Sequence, residues 1–319
     1  MITEFVTAYW AWIAFGVLVT GLLALDLGVF HRKAHAVPLR EAAIWSIVWI
    51  AVSLAFNAGI WMWKGSTPAL EFLTAYIIEK SLSVDNIFVF VLIFSYFGVP
   101  AQYQHRVLFW GVLGAIIMRG ILIMAGVTLI ERFHWVVYLF GAFLVFTGIR
   151  MARHRDEKVD LDANWLVRLA RRVLPVTSEY VGEHFFTRQR GVLFATPLLL
   201  VLLVVESTDL VFAVDSIPAV LAISQDPFIV FTSNIFAILG LRALYFVLAG
   251  VIHRFYYLKA ALSVILSFVG VKMLIADIYK IPVGISLSVI AVILAIGLIA
   301  SLIRARRLER QETRLKTIS

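Results

Sequence analysis

The chain has 319 residues, 62% hydrophobic and only 15% charged, too little polar surface for a soluble fold of this size. It contains no cysteine, which excludes disulfide frameworks, thiolate metal sites and thiol redox chemistry. The net charge of +8 imitates a nucleic-acid signal, but the basic residues lie in loops between apolar spans. There they report topology, so the expected surroundings are a lipid bilayer and not a nucleic acid.

Crossing the hydrocarbon core takes ~20 apolar residues, and the pattern predicts about nine such spans in an all-α, polytopic transmembrane bundle. The first, 9–30, carries Asp26; Glu4 precedes it and Arg32 and Lys33 follow, unlike the flanks of a cleaved signal peptide. Spans 41–63 and 70–97 come next, the latter holding Glu79, Lys80, Ser83, Asp85 and Asn86. The fourth, 105–130, holds Arg119, and the fifth covers 134–152. A long connection, 153–192, places Trp165, Leu166, Leu169, Val173 and Leu174 on one helical face beside Arg168, Arg171 and Arg172. It reads either as a short helix on the membrane surface or as a solvated connector. The sixth span, 193–222, contains Glu206, Asp209, Asp215 and Ser216; the seventh, 227–251, contains Asn234 and Arg242. The eighth, 258–278, contains Lys272, and the ninth covers 282–303. Residues 1–303 thus form a single transmembrane domain, followed by a basic tail over 304–319. Trp10, Trp12, Trp61, Trp63, Trp110, Trp135 and Tyr138 lie near span ends, where amphipathic rings settle at headgroups.

Loop charge sets the direction. Of the 28 Lys and Arg residues, 21 fall on one side, in 31–40, 98–107, 150–192, 252–260 and the tail, against Lys64, Arg132 and Lys280 on the other. That asymmetry predicts an external N-terminus and a cytoplasmic C-terminus in a bacterial inner membrane.

Spans three to five and six to eight repeat one another. Glu79-Lys80-Ser81-Leu82-Ser83-Val84-Asp85-Asn86-Ile87 matches Asp209-Leu210-Val211-Phe212-Ala213-Val214-Asp215-Ser216-Ile217. Met118-Arg119 corresponds to Leu241-Arg242, and Phe146-Thr147-Gly148-Ile149-Arg150-Met151 resembles Phe268-Val269-Gly270-Val271-Lys272-Met273. An odd number of spans inverts the second unit, so repeats of about 70–152 and 193–278 imply a pseudo-two-fold with a site between them.

Glu79, Asp85, Glu206, Asp209 and Asp215 lie inside predicted spans, where one ionised acid costs at least ~2.5–3.5 kcal/mol. They are candidate metal ligands together with Asn86 and Ser216, supported by Lys80, Ser83, Arg119, Asn234, Arg242, Lys272 and Asp26. The bland alternative is neutralisation by Lys80, Arg119, Arg242 and Lys272. Glu79, Ser83 and Asn86 follow i, i+4, i+7 and share a helix face. Pro218, three residues after Asp215, favours a kink that frees carbonyl oxygens. Carboxylate, amide, hydroxyl and carbonyl oxygens suit Mn²⁺, Mg²⁺ or Ca²⁺, and Asp85 and Asp215 are expected to converge near midplane. The histidines, His105 among them, read as loop residues. Gly98, Gly111, Gly114, Gly120 and Gly126 read as close helix packing. No phosphate loop, nucleophile elbow or dinucleotide fingerprint is present.

The two acidic motifs, with Pro218-Ala219 extending the second, resemble the TerC family of integral membrane proteins. The run from Asp226-Pro227-Phe228 through Ser233-Asn234-Ile235-Phe236 to Arg242-Ala243 is similar to its Alx branch. The likeness spans about residues 20–300. It implies a multi-span metal exporter, chiefly for manganese, without a prosthetic group; older labels for the family are tellurite resistance and redox modulation. Beside export, with proton exchange as the candidate coupling, stand an intramembrane acid–base enzyme and an accessory protein for folding or metal loading. Ion identity, coupling stoichiometry and oligomeric state are not written in the residues.

Overall fold

A computed structural model describes residues 2–28, 38–133, 135–153, 175–189, 191–249 and 256–318, without the side chains of 2–8, 26–28, 85 and 308–318. The amphipathic segment expected at 165–174 and the side chains of Asp26 and Asp85 therefore lie outside the described part.

The helices are α1 (Ile2–Gly28), α2 (Leu39–Lys64), α3 (Ser66–Tyr96), α4 (Ala101–Arg132) and α5 (Val136–Arg153), then α6 (Pro197–Leu221), α7 (Pro227–Leu239), α8 (Leu241–Leu248), α9 (Leu258–Leu274) and α10 (Val283–Ile318). Among the described residues, five helices are long and apolar enough to cross a membrane: α2, α4, α5, α6 and α10 over Val283–Arg307. The bent pair α7 and α8 makes a sixth if it is one span. α3 is 31 residues long but carries Glu71, Glu79, Lys80 and Asp85, and α9 has 17 residues, so neither joins that count. The protein is a helical, multi-pass membrane protein.

Two expectations need correction. The sixth span does not begin at 193: Val192–Ala195 form β2, antiparallel to β1 (Phe186–Gln189), and the helix starts at Pro197. Proline lacks an N–H and presets a helical φ, so it starts a helix without losing a bond. Among the described residues the bundle is thus helical apart from one hairpin. The seventh span is two helices bent by 41° around Gly240. α10 continues past the ninth span through the basic tail to Ile318.

α5 and α9 approach at backbone distance. A Cβ on Gly270 would lie 2.7 Å from the Gly141 carbonyl oxygen and 2.8 Å from the Val145 nitrogen. One on Gly148 would lie 2.7 Å from the Ser263 carbonyl oxygen and 2.9 Å from the Ser267 nitrogen. The contacts are reciprocal. The motif alignment pairs Gly148 with Gly270, and the same offset pairs Gly141 with Ser263 and Val145 with Ser267. As α5 rises from 141 to 148, its partner on α9 falls from 270 to 263, so the two helices run antiparallel. Likewise α3 packs on α7 while α4 packs on α6, which are counterpart pairs under the same exchange.

Hydrophobic burial closes the structure around these helices. One cluster joins Ala75, Ile123, Leu144, Ile217, Leu262 and Ile290; a second joins Phe90, Phe94, Leu108, Val201 and Tyr245. A third seats Phe15 of α1 and Trp49 of α2, with Phe72 of α3, on Phe228 and Phe236 of α7. Outward-facing Met62, Val17, Val211 and Ile296 are exposed, as lipid-facing residues must be.

Candidate functional site

α4 brings one basic side chain into the interior. Arg119 is 1% exposed, and among the described residues no fully buried side chain is larger. A lone guanidinium there would be prohibitively costly, and two acids from different helices meet it. Its Nη1 donates to Glu79 Oε1 of α3. Its Nε donates to Asp209 Oδ2 of α6 at 3.1 Å, and its Nη2 to Asp209 Oδ1 at 2.8 Å. This is the bidentate geometry that suits a planar guanidinium. Nη1 also reaches Ser216 Oγ at 3.3 Å and Asn234 Oδ1 at 3.5 Å. Asn86 Nδ2 adds a bond to Asp209 Oδ1 at 3.4 Å.

Glu79, Asn86, Asp209, Ser216 and Asn234 are all buried. Asp209 has twelve helix residues on either side of it, which puts the cluster at the middle of α6. The two acids occupy matching positions in the repeated motif. With one cation the triad keeps a formal charge of −1. Two atoms at the cluster, Glu79 Oε2 and Asn234 Nδ2, are buried without a hydrogen-bond partner. Ser83, expected on the same face, donates back to the Glu79 carbonyl at 2.8 Å.

The remaining candidates separate into neighbouring places. Glu206 is half-buried against Gly114, where a Cβ would overlap its carboxylate, and its Oε2 has no hydrogen-bond partner. The glycine in α4 is therefore room for a carboxylate, beyond simple helix packing. Asp209 and Arg242 line a narrow cavity with Phe90, Gly111, Val205 and Leu241; its ≈ 10 Å³ gives a water-sized space. Lys80 enters the α7–α8 break, donating to the Ala237 carbonyl at 3.3 Å and lying against Gly240. Ala237 is in the last turn of α7, where carbonyls lack helical partners. Asp215 turns elsewhere: Thr147 Oγ1 of α5 donates to it at 3.3 Å, and Arg150 is its electrostatic neighbour. Six residues along a helix amount to 240° of net rotation, so Asp209 and Asp215 cannot share a face. Whether Asp85 meets Asp215 lies outside the described side chains. No group of three or more His, Asp or Glu arranged to hold a metal occurs among the described residues, and the space between Glu79 and Asp209 holds Arg119.

Three features lie beyond the candidate list. Thr147 is Asp215's partner. His105, expected in a solvated loop, is buried on α4. A polar chain crosses the opposite end of the bundle from the hairpin: Lys64 pairs with Asp226 at 2.5 Å, and Ser224 donates to Glu71 at 2.6 Å beside Lys272. Asp226 also caps α7 through Phe228 N at 2.9 Å. Glu71 meets the same criterion as the other acids, a carboxylate inside a predicted span.

At the other end, residues 175–189 strap α3 and α4. Tyr180 donates to the Phe97 carbonyl at 2.8 Å, Glu183 pairs with Arg106 at 3.2 Å, and Phe185 lies beneath the Arg106 guanidinium. Burial raises the Tyr180 phenol above its ordinary pKa, so it stays a donor.

Comparison with known proteins agrees with this architecture. Residues 64–309 match the model of the integral membrane protein TerC family. An uncharacterized membrane protein of Myxococcus xanthus is 55% identical over 92% of both chains. A protein of Escherichia coli K12, provisionally described as the membrane-bound redox modulator Alx, is 52% identical over 90% of this chain and 92% of its own. An uncharacterized membrane protein of Rickettsia bellii is 41% identical over 94% of this chain and all of its own. No solved structure matches significantly. The chain belongs to the TerC family of integral membrane proteins.

Proposed function

We propose that this protein is a transporter, not an enzyme, and that it exports a divalent cation, manganese first among candidates, across a bacterial inner membrane. The observation that carries the reading is the pair Glu79 and Asp209. They are equivalent residues of two related motifs, 130 positions apart in sequence, and they meet in one buried oxygen-rich cluster at mid-helix. The reciprocal, antiparallel contact of α5 with α9 supports inverted three-span repeats within a nine-span chain. In such an architecture the cargo binds where the repeats meet. Carboxylate, hydroxyl and amide oxygens are hard ligands, and a site without sulfur favours Mn²⁺, Mg²⁺ or Ca²⁺ over softer metals. Glu79, Asp209, Asn86, Ser216 and Asn234 would supply the first contacts, with Glu206, Asp85 and Asp215 on the path to or from them. The same carboxylates are the candidate carriers for proton exchange. The redox description of the relatives has no thiol to act through here.

Asp209→Asn keeps size and one acceptor but removes a charge that a dehydrated divalent cation needs. Manganese accumulation is measured in cells lacking other exporters, normalised to the amount of membrane-inserted protein. Asp209→Asn, Asp85→Asn and Asp215→Asn should each abolish efflux. Normal efflux by all three at wild-type abundance would end the reading.

A further inference from the structure

The geometry points to Arg119 as a tethered cation that holds the cargo position while the carrier is empty and must leave it when a metal ion binds. This rests on the transport reading above and adds how the charge of the empty site is cut from −2 to −1. The guanidinium is surrounded by five side-chain oxygens: Glu79 Oε1, both Asp209 carboxylate oxygens, Ser216 Oγ and Asn234 Oδ1. They come from α3, α6 and α7, the all-oxygen shell that a hard divalent cation takes. The ion would draw the shell in from the 2.8–3.5 Å seen at Asp209, Ser216 and Asn234 to ~2.0–2.6 Å. It could not share that space with the guanidinium.

Charge gives the reason for the arrangement. Two carboxylates with a divalent ion sum to zero, and with Arg119 to −1, but with neither they would leave −2 in a buried site. An empty carrier without Arg119 therefore cannot cheaply change the side it faces. The exit lies toward the water-sized cavity beside Asp209, bounded by Gly111 and Ala115 of its own helix and by Arg242, which must widen to take the larger guanidinium as the carrier moves. Arg242 is also the residue that the repeat places in register with Arg119.

The test uses the full chain, wild type, Arg119→Met and Arg119→Lys, purified in nanodiscs, with free Mn²⁺ counted by its electron paramagnetic resonance signal and binding of the diamagnetic Mg²⁺ and Ca²⁺ read by isothermal titration calorimetry. Removing the competitor should tighten Mn²⁺ binding at least tenfold in Arg119→Met and by less in Arg119→Lys. In liposomes Arg119→Met should retain Mn²⁺–Mn²⁺ exchange and lose net export, because only the return of the empty carrier fails. A merely structural arginine predicts weaker binding and loss of both modes. Should Arg119→Met not fold, Arg119→Lys decides by the same binding criterion. Unchanged or weaker Mn²⁺ affinity in a folded variant, with wild type still binding, overturns the tethered-cation role and leaves transport standing. Absence of Mn²⁺, Mg²⁺ and Ca²⁺ binding in wild type as well overturns the transport reading and this inference with it.

Discussion

Replacing Gly270 with alanine tests the backbone-to-backbone contact of α5 with α9. The new methyl would sit 2.7 Å from the Gly141 carbonyl oxygen, 2.8 Å from the Val145 nitrogen and 2.9 Å from Val145 Cγ2. Two of those atoms are main chain and cannot rotate away, so α5 and α9 must part by roughly half an ångström. Overpacking of this kind costs ~1–3 kcal/mol. Alanine's better helix propensity returns ~1 kcal/mol. Because backbone resists, the cost falls in the upper half of its range, and the net loss is about 1–2 kcal/mol. Gly59→Ala is the control, since nothing lies within 4 Å of its added methyl. It gains the propensity without the clash, so the variants should differ by ~2–3 kcal/mol. The reciprocal contact makes a further demand: Gly148→Ala should cost the same as Gly270→Ala to within ~1 kcal/mol. The double variant should cost less than the sum, because the helices part only once. Steric trapping of the full chain in bicelles measures these differences directly. If Gly270→Ala is as stable as Gly59→Ala, the antiparallel interface is not packed as described, and the proposal of an inverted repeat loses that argument.

Four other outcomes are expected. In this cysteine-free chain a Gly141→Cys, Met273→Cys pair should oxidise to a disulfide, visible as a reducible mobility shift; the Cβ positions are 3.0 Å apart, close to the ~3.5–4.5 Å such bonds take. Failure to oxidise would move α9 away from α5. Asp226→Ala removes the cap on α7 and the Lys64 partner together and should lower stability by ~1–2 kcal/mol, whereas Asp226→Asn should keep most of the cap. Glu183→Gln should change stability by no more than ~1 kcal/mol, since its pair with Arg106 is partly exposed, while Tyr180→Phe loses ~0.5–1.5 kcal/mol with its bond to Phe97. Reporter fusions at Asn164 and Arg314 should both signal from the cytoplasmic face; an external signal from either would refute the charge-based topology.

The residues alone place this chain in a membrane, mark out its apolar segments and single out its buried acids. Each of those follows from local facts: hydropathy over ~20 residues and the cost of a charge in hydrocarbon. The repeat was legible too, because Val-Asp-(Asn/Ser)-Ile recurs and Arg119 and Arg242 follow it in order. Helix periodicity even separates Asp209 from Asp215 by face, but it does not say which neighbour each face meets. That choice belongs to packing between helices distant in sequence. The chain's own pattern makes Arg119 a supporting residue; the fold makes it the centre, since only the approach of α3, α6 and α7 gives its guanidinium five oxygens. The break at Gly240 likewise needs the tertiary structure, because Lys80 fills it from another helix, 157 residues away from the carbonyl it meets. Gly114 reads in sequence as ordinary close packing, and only the position of α6 turns it into the recess for Glu206. Local energetics decide which groups cannot face lipid, and the crossing of the helices decides which of them meet.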